Sequence, residues 1–243
     1  MMDKRITLFC LPYAGGSASA YSQWGKYLDE QIQIKPLELA GRGKRIHEPH
    51  YATVNDAIQD IFEIVQKDIG QKAYAFFGHS MGAMLSYELA RKIRADGSRE
   101  PQHIFFSGKS SPHIKRPDAK KYAYLEEEVF KKEIINLGGT PPEFFEHPEL
   151  MELFIPLLRN DFRIAETDFT DRKTELFNYD ITIFAGKDDD LTPAQIDGWK
   201  EHTSGLCSIF HFNGGHFFLH EHAKSMINII NRTLLEIPVV HSN

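Results

Sequence analysis

Six short runs rich in apolar, β-branched and aromatic residues recur along the chain, at 6–11, 32–39, 73–77, 103–107, 181–185 and 207–212. Such near-continuous apolar runs suit strands buried on both faces. Helical periodicity fills most of the gaps between them. The clearest case is 53–69, where Val54, Ala57, Ile58, Ile61, Phe62 and Val65 follow the i, i+3, i+4, i+7 spacing of one helix face. Thr53 is placed to cap this helix, with Asp56 three residues later completing a capping box. Further helices are expected over 81–95, stopped near Gly97, and over 221–235, before Pro238. Strands alternating with helices imply an α/β fold, with a mostly parallel central sheet and helices on both faces.

One region breaks the alternation. From 109 to about 174 there is no good strand, but there are helical stretches such as "EEEVFKKEIINL" and "ELMELFIPLLRNDF", separated by "GGTPPEF". A helical insertion of this kind is expected to cap the strand ends as a lid. No repeat or linker divides the chain, so 1–243 is read as one domain.

Hydrophobic residues at 42% and charged residues at 26% fit a folded globular chain rather than a disordered one. The net charge of -6 gives no reason to expect nucleic acid or an anionic membrane as a partner. No run approaches the ~18 apolar residues of a membrane span. The run after Lys4 and Arg5 is short and carries Pro12, so it reads as a strand entering a glycine loop rather than as a secretion signal. Cys10 and Cys207 lack any zinc-finger spacing and read as free thiols in a reducing cytoplasm.

The run at 73–77 leads into Gly78-His79-Ser80-Met81-Gly82, a G-x-S-x-G sequence followed at once by the helical pattern "MGAMLSYELARKI". Strand, G-x-S-x-G and helix together are the nucleophile elbow. The turn is so sharp that residues two before and two after the serine meet neighbouring backbone and must be small. A serine hydroxyl needs a base, and the base needs an acid to orient it. Around this elbow the chain order is Ser, then Asp or Glu, then His.

The strand at 181–185 ends at Gly186, with Asp188, Asp189 and Asp190 after it. Asp189 is the preferred acid, with Asp188 and Asp190 as alternatives. The last strand ends in Asn213-Gly214-Gly215-His216, which makes His216 the candidate base over eleven other histidines. For the oxyanion, one donor is expected from the backbone N–H of Met81. The second is expected from the loop "LPYAGGSAS", at Ala14 first and Tyr13 second.

The stretches "LFCLPYAGGSAS", "ELAGRGKRIHEP", "FGHSMGAMLSYELA", "IINLGGTPPEF", "LLRNDFRIAETD", "FAGKDDDLTP" and "NGGHFFL" together resemble the type II thioesterases of nonribosomal peptide and polyketide synthesis. The resemblance runs from about residue 6 to about 235. It implies an α/β-hydrolase fold with a helical lid. It also implies cleavage of acyl thioesters from the phosphopantetheine arm of acyl- or peptidyl-carrier proteins, clearing misloaded or stalled groups. Position by position it supports Ser80, Asp189 and His216, with Ala14 and Met81 as oxyanion donors. Where relatives often read Pro-Gly, this chain reads Ala40-Gly41, which leaves the path of that loop open.

The expected protein is a cytoplasmic, monomeric serine hydrolase that needs no metal or other cofactor. Two alternatives use the same fold: an esterase or lipase for small free esters, and a non-catalytic hydrolase-fold scaffold. Carrier proteins are generally acidic, as this chain is, so a local basic surface is expected for docking. Lys109, Lys115, Arg116, Lys120 and Lys121 form one candidate cluster, and Arg42, Lys44 and Arg45 another.

Overall fold

The apolar runs pair into one sheet whose inner strands are buried on both faces. In the computed structural model, which describes residues 5–70, 72–115, 120–139 and 147–235, the strands are β1 (Ile6–Leu11), β2 (Ile32–Pro36), β3 (Tyr74–His79), β4 (His103–Ser107), β5 (Ile181–Gly186) and β6 (Cys207–Phe212). They lie in the order β2-β1-β3-β4-β5-β6, and every neighbouring pair is parallel.

Alternate side chains divide between two cores, as the period of two requires. Phe9, Leu11, Tyr74, Phe76, Ile104, Phe106, Ile181 and Ile183 face α1 (Val54–Ile69) and α2 (Met81–Asp96). Leu8, Cys10, Ala75, Phe77, Phe105 and Phe184 face the opposite layer, which includes Trp24 and the last helix. The predicted capping box of α1 forms, with Thr53 and Asp56 each satisfying the other's backbone N–H. Gly97 ends α2 in the left-handed conformation, φ 74°.

Several bounds differ from the sequence expectation: β3 runs Tyr74–His79 rather than 73–77, and β5 extends to Gly186. The run at 32–39 stops being a strand at Pro36, although the Leu37 N–H still donates to Cys10 O at 2.9 Å. The last helix, expected over 221–235, runs Ala223–Leu234 and is preceded by a short helical turn, Phe218–Glu221. His222 marks the break, and its Nε2 contacts Asn213 O at 2.9 Å. Cys10 and Cys207 are both free.

Among the described residues between β4 and β5 the insertion forms a turn at Tyr122–Tyr124 and two helices, α3 (Glu127–Leu137) and α4 (Pro148–Ala165). Phe130, Ile134, Met151, Ile155 and Leu158 make a small core of their own. Ala14, on the loop after β1, packs against both this satellite and the main core. Most of "GGTPPEF", from 140 on, lies outside the described residues. No described helix is long and apolar enough to cross a membrane.

The strand order reverses at β1. The chain goes from β1 to one side for β2 and returns to the other for β3. Loops leaving the carboxyl ends of β1 and β3 diverge at such a switch point and open a crevice there.

Candidate active site

Ser80 sits between the end of β3 and the first residue of α2, with φ 54° and ψ −113°. Among the described residues it is the sole non-glycine with positive φ. The surrounding backbone leaves no room to relax it. A Cβ at Gly78 would lie 2.1 Å from Gly82 O, and one at Gly82 would lie 2.2 Å from Leu11 O. Both contacts are with main chain, so neither can be cleared by a rotamer change.

The hydroxyl is aimed at a histidine. Ser80 Oγ and His216 Nε2 are 2.9 Å apart. On the far side of the ring, His216 Nδ1 lies 3.1 Å from Oδ1 and 3.0 Å from Oδ2 of Asp189. The Asp189 side chain is 6% exposed, against 23% for His216. The three residues come from the ends of β3, β5 and β6, where an open parallel sheet gathers its ligands.

The other two aspartates are spent differently. Asp188 accepts from the Gly214 N–H at 3.1 Å and donates its own N–H to Gly214 O at 3.0 Å, tying the acid loop to the histidine loop. Asp190 lines the neighbouring cavity, and its N–H donates to Asp189 Oδ1 at 2.8 Å. The competing histidines are also accounted for. His79 is fully buried, with Nδ1 2.9 Å from Ser107 Oγ and its ring 5.1 Å from that of His216. Burial, ahead of the neighbouring His216 and His220, pushes the His79 imidazole well below the usual histidine range. It therefore stays neutral beside His216. His220 Nε2 meets Tyr13 OH at 3.4 Å, and His211 is exposed on β6.

Met81 is the first residue of α2, where a backbone N–H has no acceptor within its own helix and points along the positive end of the helix. Ala14 and Tyr13 line the same cavity as Ser80 and His216. The next two N–H groups of that loop are taken, by Asp161 for Gly15 and by Tyr13 O for Gly16. The cavity has a volume of about 510 Å³. Apolar Met84, Leu137, Phe162, Phe169 and Trp199 line it together with the charged Lys120, Glu166 and Asp190.

Most described residues of the two basic clusters are paired, while Lys44 is exposed. Arg42 is buried against Asp161. Arg45 binds Glu48, Asp60 and Glu38 O. Lys109 and Lys121 donate to Ala165 O and Glu166 O, the carbonyls at the end of α4. Lys120 pairs with Glu133 and Lys115 with Asp171, while Arg116 lies outside the described residues. Net charge along a short stretch said nothing of these partners, which come from elsewhere in the chain. The Arg42–Asp161 pair was missed altogether. Its one signal in the sequence is Asp161 itself, an acid on the apolar face of "ELMELFIPLLRNDF" that must find a partner if that face is buried.

A sequence model of the thioesterase domain matches residues 6–234. The chain belongs to the thioesterase family. Its sequence is 36% identical to the gramicidin S biosynthesis protein GrsT of Aneurinibacillus migulanus, over 95% of this chain and 89% of that one. It is also 36% identical to a protein named linear gramicidin dehydrogenase LgrE of Brevibacillus parabrevis, over 96% and 89%. Among solved structures, ClbQ of the colibactin nonribosomal peptide and polyketide pathway superposes with a TM-score of 0.89 at 34% identity, covering 96% of this chain and 98% of that one. The resemblance to type II thioesterases read from the sequence motifs therefore holds, and with it the α/β-hydrolase fold. The thioesterase chain is an enzyme.

Proposed function

We propose that this thioesterase hydrolyses acyl groups from the phosphopantetheine arm of carrier proteins, with Ser80 as nucleophile, His216 as base and Asp189 as the acid that orients it. The observation that carries the reading is the unbroken hydrogen-bonded chain from Ser80 Oγ through His216 to Asp189 at the mouth of a cavity. His216 Nε2 takes the hydroxyl proton as Ser80 attacks the thioester carbonyl. The N–H groups of Met81 and Ala14 receive the developing oxyanion. His216 then protonates the leaving pantetheine thiolate, which departs as the thiol. A water activated by the same nitrogen hydrolyses the acyl-enzyme. Asp189 keeps the Nδ1 proton in place throughout. The helices of the insertion close over the cavity as a lid.

Relatives such as GrsT and ClbQ, which belong to assembly-line pathways, support a carrier-bound substrate and an editing or release role. The dehydrogenase name of LgrE gains nothing from this chain. A dinucleotide site would require G-x-G-x-x-G between β1 and a following α-helix. Here the loop reads Pro12-Tyr13-Ala14-Gly15-Gly16-Ser17 and enters a single 3₁₀ turn, Ala18–Tyr21.

The test is twofold. A fluorophosphonate should label Ser80 and nothing in Ser80→Ala. Hydrolysis of acyl-carrier protein should then exceed that of the matching oxygen ester and of acyl-coenzyme A. Faster turnover of the oxygen ester would favour the esterase reading, and an unlabelled protein would favour the scaffold.

A further inference from the structure

Arg42 and Asp161 are 119 residues apart in sequence and meet as a two-pronged pair, with Nη1–Oδ2 and Nη2–Oδ1 both at 2.7 Å. Their side chains are 4% and 1% exposed. A buried pair of this kind is weak support for stability, because apolar side chains of similar volume often do as well. It does hold its surroundings in one geometry, since each charge must keep its partners.

The surroundings here are the loop after β1. The Gly15 N–H donates to Asp161 Oδ2 at 2.7 Å. On the next residue, Gly16 O accepts from Arg42 Nη1 at 2.9 Å. The pair therefore grips the Gly15–Gly16 segment by a donor and by an acceptor, directly after Ala14. The helix behind it is pressed close. Gly15 has φ +76°, and a Cβ there would lie 2.7 Å from Leu158 Cδ1 and 3.2 Å from Phe154 Cζ. Phe154, Leu158 and Asp161 share one face of α4, at the i, i+4 and i+7 spacing. The far end of the loop is fixed from another direction, by the Ala18 N–H donating to Glu38 Oε1 at 3.0 Å.

We propose that Arg42 and Asp161 are positioning residues for the oxyanion hole: the pair fastens the Ala14 loop to α4, so that the insertion holds part of the catalytic machinery as well as covering it. This rests on Ser80 being the nucleophile and Ala14 an oxyanion donor. Neither Arg42 nor Asp161 lines the cavity, so neither touches substrate. Their effect passes through the peptide geometry of Gly15 and Gly16. Loss of one oxyanion donor costs about 10²–10³ in turnover. Displacing a donor by ~1 Å from a distance costs about 10².

The experiment compares Asp161→Asn and the double variant Arg42→Met/Asp161→Val with wild type. Reactive Ser80 is titrated to completion with a fluorophosphonate, and kcat is expressed per titrated site. Inhibition by an acyl trifluoromethyl ketone, which forms a tetrahedral oxyanion on the serine, is measured alongside. In Asp161→Asn, kcat per site should fall about 10²-fold with KM changed less than about threefold, and the ketone Ki should rise in proportion to the loss of kcat/KM. The double variant removes both buried charges and should regain thermal stability without regaining turnover. A purely structural role predicts the reverse: fewer reactive sites, each with normal kcat and normal ketone affinity. Either folded variant with kcat per site within about threefold of wild type would overturn the proposal. Should Asp161→Asn fail to fold, the double variant alone decides. An unlabelled wild-type Ser80 would bring down the triad reading and the clamp with it, whereas labelled Ser80 with unaffected variants would remove the clamp alone.

Discussion

Replacing Asp189 by asparagine exchanges one carboxylate oxygen for an NH₂ group and should stop the enzyme. The direction follows from one backbone contact. The Asp190 N–H donates to Asp189 Oδ1 at 2.8 Å, and this donor remains in the variant. It can be satisfied only by the amide oxygen, which is thereby fixed at the Oδ1 position. The NH₂ group must then occupy the Oδ2 position, 3.0 Å from His216 Nδ1. An amide donor facing Nδ1 favours the tautomer with its proton on Nε2, where it points at Ser80 Oγ across 2.9 Å. A protonated Nε2 cannot accept the serine proton. In serine proteases the same aspartate-to-asparagine change leaves the wrong tautomer in place and costs ~10⁴ in kcat, or about 5.5 kcal/mol of barrier. The same scale is expected here because Asp189 is buried too, at 6% exposure. Asp188→Asn keeps an acceptor for the Gly214 N–H and should lose less than about tenfold. The assay is kcat/KM on an acyl-pantetheine thioester, with thermal melting to show that each variant is folded. A loss below about tenfold in Asp189→Asn, or an equal loss in Asp188→Asn, would refute the tautomer argument.

Ser80→Gly and Ser80→Ala should both be inactive, but the glycine variant should be the more stable by about 1 kcal/mol, because φ 54° is strained for any side chain. Equal urea midpoints would show that the elbow stores no strain. Gly82→Ala places a Cβ 2.2 Å from Leu11 O and 2.8 Å from Pro12 O, so a loss of about 3 kcal/mol or more is expected, and a well-folded variant by circular dichroism would contradict the backbone packing. Acid should destabilise the fold. Burial pushes His103 and His202 down to about 4 from 6.5, so between those values the unfolded chain binds protons that the folded one refuses. Stability is then full above about pH 6.5 and falls towards pH 4, by up to about 3 kcal/mol per histidine, with the raised carboxyls of Glu88 and Glu166 opposing it. A flat urea-unfolding profile across that window would contradict this. Amide exchange in α3 and α4 should outpace that in β1, β3 and β4, since these helices rest on a small separate core, and protection equal to the strands would count against a lid.

Much of this molecule is written in short-range pattern. A strand buried on both faces is apolar along most of its length, so β1 and β4 have the bounds that the sequence predicts. A capping box closes within four residues, so Thr53 and Asp56 announce it without help from the rest of the chain. The elbow is equally local: two glycines flank a serine because backbone crosses backbone there. Other features depend on which distant groups arrive. Position after Gly186 favours Asp189 but leaves Asp188 and Asp190 open, and the packing of the β5 loop against the β6 loop is what turns Asp189 towards His216 and ties Asp188 to Gly214. The break at His222, whose Nε2 meets a carbonyl of the loop before it, is not marked by helical periodicity. Several residues of the basic clusters look like free surface charge until their partners appear. Arg42 then vanishes into a pair with Asp161, and Lys109 and Lys121 cap the end of α4. Periodicity records which side of an element is buried, because burial acts on each residue in turn. The partner of a buried charge is chosen by contacts between segments over a hundred residues apart, and only the folded chain brings those together.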